Sequence, residues 1–237
     1  MSGTPLPPFR RRFELRRIAA DAVEAELEDH IHHVVVIVHH DHHEVTGVEG
    51  RAIRLPWSLC PGAISQLEEL VGAPVGVAPA VADAGTHCTH LLESALTAVR
   101  FAGTTAGDRR YDLEVTDVEG DAGQPSVLAV ARRDDGFELT LHTDGRQLLA
   151  PSQHAGQSLG AGFAGWAATT LDPDQAEAAI LLRRAVWMRV SVAIDLDTLD
   201  VLADSGIPEG ACYSSQPARI RRATRNRGSS LAALPER

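Results

Sequence analysis

The sequence predicts an α+β fold: mainly antiparallel strands with about three packed helices, in a single domain. Three observations carry this. Val34–Val38 is a run of five β-branched residues, and such side chains suit a pleated strand and crowd a helix. Segments with helical spacing stand apart from the strand-like ones instead of alternating with them. No Gly-x-Gly-x-x-Gly or Walker loop occurs that would open a Rossmann-type array.

Taken in order, residues 1–8 are Pro-rich and read as disordered. Residues 9–20 alternate basic and apolar and predict an exposed strand, and Val23–Leu27 alternates weakly. Ile31–Val38 is a strand, and Glu44–Leu55, with Gly47 and Gly50, is a bent partner strand. His39–His43 then forms the exposed tip of a hairpin. Cys60 opens a helix with Pro61 at its first turn and Gly72 as its stop. After an Ala/Gly/Pro-rich connector (73–86), a second helix starts at Cys88 with Leu91, Leu92, Ala95, Leu96 and Val99 on one face. Strands follow at Tyr111–Val118, Ser126–Arg132 and Phe137–His142, with turns at Gly120, Asp135-Gly136 and Asp144-Gly145. Residues 151–170 give little periodic signal. Asp172-Pro173 starts a third helix that runs to about Trp187, and Val190–Leu196 reads as a short strand. The domain spans 9–218, and 219–237 is an Arg-rich tail.

Composition removes several classes of function. A net charge of −10 repels phosphate backbones, so no nucleic-acid partner is expected. No apolar run approaches a membrane span, and the start of the chain is not a secretory signal. Three widely spaced cysteines make a poor disulfide framework and fit reduced thiols in the cytoplasm. The Ala-, Arg-, Asp- and Gly-rich, Lys-poor composition suggests a bacterial source.

The residues that carry chemistry are Cys60, Cys88 and His90. A thiol at a helix start is expected to have a lowered pKa, because backbone N–H groups and the helix dipole favour the thiolate. Together the three form a soft set for zinc or iron. Cysteine is equally often a small buried hydrophobe, and that reading stands beside the first. Seven of the eleven histidines lie within 30–43. Those of the tip read as surface residues, whereas His30 to His33 lie near the core strand and within reach of the helix-start site. Glu49 and His30 are the candidate catalytic acid/base residues. Cys212, after a Pro208-Glu209-Gly210 turn, has no assigned role.

The layout Val48-Glu49-Gly50, Cys60-Pro61-Gly62-Ala63, Leu70-Val71-Gly72, Cys88-Thr89-His90-Leu91 and Tyr213-Ser214-Ser215-Gln216-Pro217 resembles an uncharacterised bacterial domain family, the domain of unknown function 2889. The chain departs from that family's pattern at His87, where a glycine is expected before Cys88, and in its His-rich tip. The resemblance implies that Cys60, Cys88 and His90 are the family's marked positions. It implies no reaction.

The leading expectation is a metal-dependent enzyme, zinc or iron, of small-molecule metabolism, a hydrolase or hydro-lyase acting on a small-molecule substrate, with a homodimer as one possible assembly. Two other readings remain open: a metal-free redox protein using Cys60 and Cys88, and a non-catalytic binding or assembly protein.

Overall fold

The computed structural model describes residues 6–77, 79, 81, 83–119 and 125–234. Its strands are β1 (Phe9–Ala19), β2 (Ala22–Asp29), β3 (His33–His40), β4 (Val45–Arg54), β5 (Arg109–Glu119), β6 (Pro125–Arg133), β7 (Glu138–Thr143) and β8 (Leu148–Ala150). Its α-helices are α1 (Thr89–Ala102), α2 (Phe163–Thr170) and α3 (Pro173–Met188). The strands form one antiparallel sheet in the order β4-β3-β2-β1-β5-β6-β7-β8, so the architecture is α+β as the sequence predicts. By its contacts the chain divides into two compact units, Met1–Arg12 with Arg110–Ile194 and Phe13–Arg109 with Asp195–Arg237.

In the second unit, β2 shows why the chain folds as it does. Val23, Ala25 and Leu27 are fully buried on one side of the strand, and Glu24, Glu26 and Glu28 alternate onto the other. The register Val23↔Val38, Ala25↔Val36, Leu27↔Val34 extends the apolar side across β3. Helix α1 packs on both strands and buries Leu91, Ala95, Ala98, Val99 and Phe101 completely. Burial of each large side chain contributes about 1.5–3 kcal/mol before the entropy of ordering it. Arg17 closes the helix: its Nη2 donates to the Phe101 carbonyl at 2.9 Å and its guanidinium lies 4.7 Å from the Phe101 ring centroid.

The glutamate side of β2 is paired rather than solvated. Arg16 Nη2 donates to Glu24 and Glu26, each at 2.7 Å, and Arg51 and Arg54 reach Glu24 and Glu28, each at 3.1 Å. His33 Nε2 lies 2.7 Å from Glu26. This overturns the expectation that β1 is an exposed strand. Phe9, Phe13 and Leu15 are fully buried, Arg11 is buried under a cation–π contact with Phe9, and Arg10, Arg12 and Arg16 find carboxylates on neighbouring strands.

In the first unit, α3 starts as the sequence predicts, with the Asp172 carboxylate accepting from Gln175 N. The helix packs on β6 and β7. Arg133 ties them together: it holds Asp174 through two hydrogen bonds of 2.8 and 3.1 Å and donates to the Tyr111 hydroxyl, which in turn donates to Glu177 at 2.6 Å.

Several local expectations change. β3 begins and ends two residues later than predicted, so His39 and His40 belong to the strand and His40 is buried. The Cys60 helix is a 3-10 helix, Cys60–Leu70, capped by Leu59 rather than by Cys60, and a left-handed Gly72 follows it as predicted. Residues 163–170, without periodicity in the sequence, form α2. Val190–Leu196 is not a strand: α3 runs directly into a 3-10 turn over Arg189–Ala193, leaving those β-branched residues no strand partner. Within the expected Arg-rich tail, Arg225 is buried and Trp57 pairs with it in an isolated antiparallel bridge. The expected disorder of residues 1–5 and the turn at Gly120 lie outside the described residues.

Candidate metal centre

Alternation along β2 places Asp29 on the same side as Leu27, the side that α1 covers. A carboxylate on that face has to be satisfied locally, and the β2–β3 turn does so. Asp29 Oδ1 accepts from Ile31 N at 3.0 Å and His32 N at 2.8 Å, and the chain closes with Asp29 N donating to His32 O at 2.8 Å. The same oxygen lies 3.1 Å from His32 Nδ1, with Oδ2 at 3.4 Å, so the carboxylate fixes the ring as well as the backbone. Arg54 Nη2 donates to the Asp29 carbonyl at 2.8 Å and locks the turn to β4.

His90 enters from the first turn of α1, two residues past the cap residue Cys88. Its ring stacks on that of His32, with centroids 3.6 Å apart and planes 24° apart. Asp29, His32 and His90 are all buried, and one potential ligand atom from each lies within 4.8 Å of the others. Among the described residues no other set of three or more His, Cys, Asp or Glu side chains meets that criterion. Two imidazoles and one carboxylate make the donor set of many zinc and non-haem iron sites.

The residues named from the sequence divide accordingly. His90 belongs to the centre. Cys60, Cys88 and His90 do not form such a set together. Burial pushes the Cys60 thiol up to about 12, the nearby Cys88 thiol adds to the shift, and a 3.3 Å hydrogen bond donated by Ser214 opposes it. The expected lowered thiol pKa is therefore wrong for Cys60: desolvation outweighs a helix start that, in a 3-10 turn, carries little dipole. Glu49 is exposed on β4 and pairs with His39 at 3.1 Å, so the structure offers it no role as a base at the buried centre. His30 is only half-buried, and its carbonyl accepts from Leu231 N at 2.7 Å. Asp29 was missed. The signal was a single acidic residue at the core-facing position that ends the Val23, Ala25, Leu27 alternation.

No protein-family model, curated protein or solved structure matches the chain. The chemistry therefore rests on the residues themselves. A cavity in the first unit, lined among others by Phe163, Trp166, His154 and Gln175, has a volume of about 60 Å³. That is well below the ~300 Å³ at which metabolite pockets begin, so it holds at most a few waters or a small substituent. Among the described residues no helix is long and apolar enough to cross a membrane.

Proposed function

We propose that the protein is a metal-dependent enzyme acting on a small molecule, of hydrolase or hydro-lyase type, with zinc or iron held by Asp29, His32 and His90. The observation that carries this is the approach of three buried ligand atoms to within 4.8 Å of one another. A bound ion would act as a Lewis acid, polarising a substrate oxygen or water. The chain's own part is positional. Asp29 holds the turn and the His32 ring, and α1 delivers His90 from a fixed helix start, so two of the donors are set by hydrogen bonds and stacking before any ion arrives. Three cysteines outside any disulfide and the acidic net charge support a cytoplasmic protein without a nucleic-acid partner. The metal-free redox reading is disfavoured by the raised Cys60 thiol. The resemblance to the domain of unknown function 2889 adds no reaction.

The test is elemental analysis of protein purified without chelators and then offered zinc or ferrous iron. About one ion per chain is expected in the wild type, and its loss in Asp29→Asn and His90→Ala while Glu49→Gln retains it. Wild-type protein that takes up no ion under either condition sinks the proposal.

A further inference from the structure

The cavity of the first unit shares no residue with the Asp29–His32–His90 centre, and its walls have the make-up of a binding socket. Successive elements each supply a matched pair of side chains. Leu139 and Leu141 stand two apart on β7, Phe163 and Trp166 three apart on α2, and Gln175 and Ala179 four apart on α3, so each pair shares a face. Leu141, Phe163 and Ala179 are buried and, with the buried Leu148 of β8, make an apolar floor. Gln153, which is exposed, and His154, Trp166 and Gln175, which are half-buried, make a polar rim. The Trp166 ring packs edge-on against His154 and tilted against Phe163, with centroids 5.2 Å apart in each pair. Among the described residues, none of the four rim side chains has a hydrogen-bond partner.

We propose that this socket binds a branched short-chain carboxylate, with the isopropyl-sized end in the cavity and the carboxylate at the rim. The volume sets the size of the enclosed group. A dry cavity of ~150 Å³ accepts benzene, so one of about 60 Å³ takes roughly three carbons. The floor sets its polarity. Leucine, phenylalanine and alanine side chains offer water no hydrogen bond, so water held there is poorly satisfied and an apolar group displaces it favourably. The rim sets the head group. The Trp166 indole nitrogen can only donate, the Gln153 and Gln175 amides each have N–H groups to give, and no Asp or Glu side chain lines the cavity. Such a rim favours a head that only accepts, as a carboxylate does, over a cationic head that would face the Trp166 N–H without a counter-charge. An apolar socket with a few polar groups placed at its edge is the usual composition of a small-ligand site, and here it is scaled to one substituent.

The experiment is an NMR titration of the full-length protein with isovalerate, read on the Trp166 indole N–H, which Trp166→Phe assigns. A saturable shift of that resonance is expected, with a Kd on the order of 1–10 mM for so small and partly enclosed a ligand, while the Trp57 and Trp187 indoles are unaffected. Acetate, which lacks the branched end, and isobutylamine, which carries an ammonium in place of the carboxylate, bind at least tenfold more weakly. Leu139→Trp, at a half-buried wall position, fills the socket and abolishes the shift. Gln175→Leu keeps the Asp172 hydrogen bond to the backbone N–H at that position and weakens binding about fivefold. Absence of a saturable shift in the wild type overturns the proposal. So does binding of acetate or isobutylamine as tight as that of isovalerate, or a shift that survives Leu139→Trp or Gln175→Leu unchanged.

Discussion

The His32 and His90 rings, one from a strand-to-strand turn and one from a helix start, lie face to face with 3.6 Å between centroids. The partner that makes this arrangement rigid is Asp29, which is fully buried and accepts two backbone hydrogen bonds as well as facing His32 Nδ1. Removing its side chain leaves the N–H groups of Ile31 and His32 without an acceptor in a buried turn. Asp29→Ala is therefore expected to destabilise the metal-free protein by about 2–4 kcal/mol. Urea denaturation in the presence of a chelator measures it. A change within about 0.5 kcal/mol would show that the turn is held by something other than this carboxylate.

Thiol accessibility gives an independent check on the cysteine chemistry. Cys60 is buried, and its thiol is pushed up to about 12 by that burial, whereas Cys212 is half exposed. Alkylation needs thiolate and access together. In native protein at pH 8 iodoacetamide is expected to label Cys212 first and Cys60 only on the timescale of unfolding. Peptide mass mapping over a time course reads the order. Rapid labelling of Cys60 would restore the nucleophilic-thiol reading.

The paired strands were legible because their chemistry is local. Five β-branched residues fit only a strand, and Asp172-Pro173 announces a helix start through a side-chain cap that forms without tertiary help. What was not legible depended on partners distant in sequence. Arg11 and Arg16 look solvent-bound until Phe9, Glu24 and Glu26 are placed beside them. Val190–Leu196 alternates like a strand but has no neighbour to pair with. At the site, His90 was readable as a helix-start residue. Asp29 and His32 were not separable from a charge-rich strand and a histidine-rich turn, because their roles follow from which sheet face α1 covers.

The Asp135-Gly136 turn carries a measurable pH dependence. Arg133 hydrogen-bonds Asp135 and, with the Phe137 N–H, holds its carboxyl down to about 2. A folded-state pKa below the unfolded value means that the unfolded chain binds the proton more readily in acid. The contribution is thus fully present above the ordinary carboxylate range of about 4 and is lost as pH falls through about 2. NMR titration of the Asp135 carboxyl is expected to show a midpoint well below that of an exposed aspartate, returning toward the ordinary value in Arg133→Gln. A normal midpoint in the wild type would contradict the pairing.

The carboxy-terminal arginines separate a tail from a built strap. The Arg225 side chain is 1% exposed: Nε pairs with Asp197 at 2.9 Å, Nη1 donates to the Pro56 carbonyl and to Ser229, and Nη2 donates to Ser230. Through Pro56 it fastens the end of the chain to the segment that leads into Cys60. Arg222, three positions earlier, is exposed. Truncating Arg225 removes one of the two donors to the Pro56 carbonyl, the Asn226 N–H remaining at 2.9 Å, strips Ser229 and Ser230 of their charged partner, and leaves Asp197 without the Arg225 cation, although Asp197 is 38% exposed and water recovers part of that loss. The expected cost of Arg225→Ala is about 2–4 kcal/mol, against less than about 0.5 kcal/mol for Arg222→Ala. Equilibrium unfolding of the two variants side by side tests the contrast. Equal and small effects would mean that residues 219–234 behave as the solvated tail that their composition suggests, and that Ser214 is held against Cys60 by its own turn alone.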